Sequence, residues 1–129
     1  MIYPIVIYGA QVLREQCKDV PADYPDLRKL IEGMFSTMYE AEGVGLAAPQ
    51  VGILRRVCLV LDEESEQYLE LINPEIVEQS GEQTGLEGCL SVPGRYGIVT
   101  RPYVVRVRAQ DRDGNFFEVE DEDLTARCF

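Results

Sequence analysis

Between Asp26 and Glu42 the apolar residues Leu27, Leu30, Ile31, Met34, Phe35 and Met38 recur at intervals of three and four. That spacing predicts an amphipathic helix about four turns long, with one stripe packed on a core. The prolines of "PADYP" and Asp26 announce its start. Ahead of it, "AQVLREQC" reads as a short turn or helix. Beyond it the period changes. "RRVCLVLD" is a short apolar run, "YLELINPEIVEQ" alternates in part, and "YVVRVRAQD" alternates with period two, as a half-buried strand does. "DRDGNFFEVE" sets Asp113-Gly114 between that last strand and another β-rich run, a hairpin signal. Strands that follow one another predict an antiparallel α+β fold rather than a βαβ one.

The last segment, "EDEDLTARCF", begins like a helix, with acidic residues in its first turn, a capping Asp, and Leu124 and Cys128 four apart. It stops after little more than one turn, too short to be stable without packing partners. Natural termini tend to trail off in polar residues, whereas this chain reads as cut. Residues 1–129 show no repeat, linker or low-complexity tract. They are expected to form a single domain, incomplete at the C-terminal side, with a sticky apolar patch beside Leu124, Cys128 and Phe129.

Composition narrows the partners. A hydrophobic fraction of 46% supports a folded core. The net charge of -11 argues against nucleic acid or anionic membrane as partner, since both are polyanions. The opening "MIYPIVIYG" has no basic n-region, and Pro4 interrupts a run too short to span a membrane. Cytoplasmic residence is expected, with Cys17, Cys58, Cys89 and Cys128 as reduced thiols.

Cys89 sits in "GLEGCLSVPG", too rich in glycine and proline for a helix, in a chain with no histidine. A Ser-His-Asp triad, a Cys-His pair and an H-E-x-x-H zinc helix are all excluded within these residues. Four-ligand zinc sites are worth roughly 10–16 kcal/mol, so one thiolate supplies about 3–4, a dissociation constant near ~1 mM. Cys89 alone is expected to hold no metal. Upstream, "EAEGVGLAAPQVG" leaves the helix through Gly43 and Gly45. It reads either as an ordinary helix C-cap and loop or as backbone that another chain approaches closely. Gln50, a neutral amide beside a proline, could aim an N–H at a developing oxyanion.

"GVGLAAPQ" (Gly43 to Gln50) followed by "EGCLS" (Glu87 to Ser91) resembles the first two signature motifs of the peptide deformylase family. "VLREQCKDVP" and "VRVRAQDRDGNFFEVE" are similar to the family's N-terminal segment and late hairpin, so the resemblance covers nearly the whole chain. The resemblance implies the family's α+β fold, with antiparallel sheets and one long N-terminal helix, lacking most of the C-terminal metal-binding helix. It implies metal-dependent hydrolysis of the N-formyl group from the initiator methionine of nascent chains, near the ribosome exit region.

Position by position, Cys89 matches the metal-binding thiolate, ferrous iron in the native enzymes and zinc or nickel in others. Gln50 and the backbone N–H of Leu90 match the oxyanion donors. The backbone at Val44, Gly45 and Gly88 matches the edge that pairs with the substrate peptide. Glu87 and Arg101 resemble a buried ion pair, Arg101 being otherwise a solvated surface charge. The family's H-E-x-x-H motif, with two metal ligands and the catalytic glutamate, would be expected just past Phe129. The 129 residues are therefore expected to be inactive alone and to retain no metal. A non-catalytic peptide- or ribosome-binding relative is the alternative, and a thiol-dependent enzyme a third.

Overall fold

The protein is described by a computed structural model covering residues 2–21, 24–62 and 65–129. Its α1 helix spans Leu27–Glu40, and Leu30, Ile31, Met34 and Met38 are buried as their spacing requires. Phe35 departs from the expected stripe. It is partly exposed, lying against Tyr39 and edge-on to Tyr68 at a ring separation of 4.9 Å. Asp26 precedes the helix in a left-handed conformation, and its side chain makes no cap.

Seven strands follow among the described residues: β1 (Gly45–Ala47), β2 (Val57–Asp62), β3 (Gln67–Ser80), β4 (Gln83–Cys89), β5 (Val92–Arg101), β6 (Val104–Gln110) and β7 (Phe116–Glu122), then α2 (Asp123–Cys128). Five form one antiparallel sheet in the order β1-β2-β3-β6-β7, while β4 and β5 make a separate hairpin. The alternation along β2 explains how the larger sheet is covered. Val57 and Leu59 join the α1 side chains in one core, and Val60 joins Leu71, Val105, Val107 and Ala126 of α2 in another. Both faces are thereby buried.

Strand β3 is long because it bends. Asn73, at φ 51, precedes Pro74, and the pairing with β6 shifts register there. The Asn73 carboxamide replaces the lost ladder bonds by accepting from Val20 N–H at 2.7 Å and donating to Val20 C=O and Gln110. The hairpin at Asp113-Gly114 forms as expected. Gly114 adopts φ 87, and its N–H closes a turn on the Asp111 carbonyl.

Two expectations are corrected. Of the acidic run of the last segment only Asp123 lies in the first turn of α2: Glu120 and Glu122 lie in β7, opposite Arg106 and Val104, and no side chain caps α2. Cross-strand attraction between Arg106 and its acidic neighbours, with ion pairs to Glu78 and Glu118, favours the strand. Cys128 and Phe129 are half-buried against the second core rather than fully open, and Leu124 is half-buried too. Exposed apolar side chains near the site include Leu86, Tyr96 and Ile98, on one face of the β4–β5 hairpin.

Candidate functional site

The two glycine-rich segments meet. After α1 the chain turns through Gly43 into β1, and Ala48–Val51 then winds a single 3-10 turn that starts with Pro49 near its head and ends at Gly52, φ 86. Proline pre-sets the turn, glycine lets it stop, and Gln50 is left projecting. On the other side, β4 and β5 reverse through Leu90 and Ser91, with a register shift at Gly88/Cys89. Such an irregularity re-aims a side chain, and Cys89 is exposed there. Leu90 packs into the first core over Gly43, where an added Cβ would lie 2.7 Å from Leu90 Cδ1. That absent Cβ lets the two walls close on each other.

Gln50 and Cys89 come into contact: Nε2 lies 3.7 Å from Sγ. The same Nε2 donates to Ser91 Oγ at 3.1 Å, and Oε1 accepts the Ala47 N–H at 3.0 Å. An N-terminal strap crosses the site from outside. Tyr3 N–H donates to Thr37 Oγ1, Val6 N–H to the Gln50 carbonyl and Tyr8 N–H to the Ser91 carbonyl. It ties α1, the 3-10 turn and the β4–β5 reversal together.

Two backbone edges flank the pair. The Val44 carbonyl accepts the Leu61 N–H, so Val44 faces β2. In an antiparallel ladder the next residue then turns its polar groups the other way, which aims Gly45 away from β2 on the outer side of the sheet. Gly88 sits opposite Tyr96, whose ring covers its α-carbon closely enough that a Cβ would lie 2.8 Å from it.

Glu87 and Arg101 form a two-pronged ion pair, with Nε 2.8 and 2.9 Å from the two carboxylate oxygens. It is not buried as expected, because the Arg101 side chain keeps 46% of its exposure. β4 and β5 pair only with each other among the described residues, so the hairpin's outer side stays wet. Arg127 of α2 is a partner that no sequence signal announced. Its Nε reaches Glu87 at 3.2 Å, and its Nη2 donates to the Leu86 carbonyl at 3.0 Å. Burial acts to raise the Glu87 carboxyl, but the hydrogen bonds and charges of Arg101 and Arg127 outweigh it and hold the group below its usual range.

As a metal centre the arrangement offers one thiol. Among the described residues no three of His, Cys, Asp and Glu gather, and a single donor does not fit a metal that needs three or four. What the site does present is an amide donor beside an exposed sulfur, between two backbone edges.

Comparisons with known proteins agree along the whole chain. The family model described as polypeptide deformylase matches residues 2–129. A peptide deformylase of Agathobacter rectalis is 52% identical over 124 residues, which are 96% of this chain and 77% of the relative. The solved peptide deformylase of Legionella pneumophila superposes with a TM-score of 0.92 at 44% identity, covering 99% of this chain and 76% of that one. A class I type b peptide deformylase of Acinetobacter baumannii, solved with Met-Ala-Ser bound, gives 0.92 at 33% identity over 99% of this chain and 88% of that one.

Proposed function

This chain belongs to the peptide deformylase family, and on that premise we propose that it supplies the carbonyl-binding half of a deformylase centre. The substrate is a nascent polypeptide with formyl-methionine at its start, met in the cytoplasm near the ribosome. Its formyl amide takes up water and leaves as formate and a free amino group. The Met-Ala-Ser held by the Acinetobacter relative supports a peptide that begins with methionine.

The observation that carries the reading is the Gln50 amide, held with an N–H toward Cys89. In that place Gln50 Nε2–H binds the formyl oxygen as charge develops on it, and the Leu90 N–H is its companion donor. The outward edge at Gly45 and the strand at Gly88 pair with the peptide backbone. Cys89 supplies one thiolate toward iron or another divalent ion. Lacking histidine, the 129 residues do not complete that ion's ligand set, and no bond-breaking step is assigned to them alone.

The test supplies what is missing. The 129-residue polypeptide is mixed with a helical peptide bearing H-E-x-x-H and ferrous iron, and formate release from formyl-Met-Ala-Ser is followed. Release is expected only in the mixture and is abolished by Cys89→Ala. Binding of the formyl-peptide with no release under any condition would favour the non-catalytic peptide-binding relative.

A further inference from the structure

We infer that Ser91 is a positioning residue whose buried hydroxyl holds the Gln50 carboxamide in the one orientation that turns an N–H toward Cys89. The inference rests on the reading of Gln50 as a carbonyl-binding donor. A carboxamide has two ends of nearly equal size, and its terminal torsion is broad and roughly two-fold. Only one orientation serves. With nitrogen inward, a developing oxyanion meets a donor; with oxygen inward, it meets lone pairs and is repelled.

Two contacts of opposite sense decide the matter. The Ala47 N–H can only donate, so the amide atom 3.0 Å from it is the oxygen. A single bond to Oε1 still allows the amide to swing about that point. Ser91 Oγ provides the second point, accepting from Nε2 at 3.1 Å and leaving the other N–H for the Cys89 side, where Sγ lies at 3.7 Å. A flipped amide would set its NH2 against the Ala47 N–H, two donors face to face.

Ser91 is itself well placed to resist movement. Its residue is 3% exposed, and its carbonyl is bound by the Tyr8 N–H of the strap. If Gln50 turned away, the hydroxyl would lose its partner with little water at hand, which burial penalises. Serine fits where alanine would give no acceptor.

The test reads Gln50 directly, in the 129-residue polypeptide with 15N-labelled glutamine. In the unaltered chain, the two side-chain amide protons of Gln50 are expected to be well separated and to show a nuclear Overhauser contact with the Ser91 β-protons. In Ser91→Ala the two signals should move toward free-amide positions, and their exchange with solvent should quicken roughly three- to tenfold, the weight of one net hydrogen bond. Ser91→Thr, which keeps the hydroxyl, should stay near the original signals.

In the peptide-complemented form, Ser91→Ala should lower kcat with KM little changed. A Ser91→Ala chain that melts earlier while the Gln50 signals stay put would make Ser91 merely structural and overturn the proposal. Should Ser91→Ala not fold, absence of the Gln50–Ser91 contact in the unaltered chain overturns it equally. Absence of formate release by the unaltered mixture would count against the deformylase reading alone, since the Gln50 signals are read without it.

Discussion

Cys58 and Cys89 carry the same thiol into opposite surroundings. Burial in the sheet pushes the Cys58 thiol up to about 12, whereas Cys89 stands exposed at the β4–β5 reversal. The thiolate is the reactive form, so iodoacetamide at about pH 8 should modify Cys89 and spare Cys58 in the folded chain, as peptide mass mapping would show. Equal labelling of the two would mean that the sheet opens. Replacing Gln50 by alanine should cost about 10²- to 10³-fold in kcat of the complemented form, the usual loss for one oxyanion donor. Glu87 gives a pH signature. Its carboxyl is held below the ordinary 4.5, so the stability it contributes is fully present above that value and is lost as pH falls through the lowered folded value. Melting temperature followed through the acid range should therefore fall more steeply for the unaltered chain than for Glu87→Gln.

Among the elements, α2 and β4 are joined through Arg127. A Cβ on Gly85 would lie 2.9 Å from the Arg127 Nη2, so Gly85→Ala displaces the guanidinium rather than the backbone. Gly85→Ala and Arg127→Ala should each destabilise by about 1–2 kcal/mol in urea unfolding. The double variant should lose little more than either, since both break the same charged hydrogen bonds. The long helix, β6 and the last hairpin were legible because each buries one face and leaves a period in the residues, whereas β2 and β3 send side chains into both cores and showed only an apolar run and a partial alternation. Strands β4 and β5 left none. They form a two-stranded sheet apart from the main one, with Pro93, Gly94 and Gly97 where a central strand would carry apolar side chains, so no alternation marks them. Cys89 and Gln50 could be picked out by residue type and by motif. Ser91 Oγ and Arg127 could not be assigned partners, because those contacts join segments far apart in the chain.

At the scale of the whole molecule, 23 acidic side chains face 12 basic ones. Pairing, as at Arg112–Glu70 and Arg106–Glu78, uses one base for each acid and leaves the net charge of -11, which repels itself. Raising the salt from about 10 mM to about 200 mM should therefore raise the melting temperature by several degrees as the Debye length shrinks. An unchanged or lower value would show that the ion pairs outweigh the repulsion. The strap of residues 3–8 adds a constraint in time. It leaves the ribosome ahead of its bonding partners, at Thr37, Gln50 and Ser91, which are made progressively later. The Tyr8 N–H must therefore wait until the Ser91 carbonyl has emerged and β5 has folded back. Closing so long a loop is a slow, late event in folding. During synthesis the amide of Gln50 is thus encoded long before it is held in place.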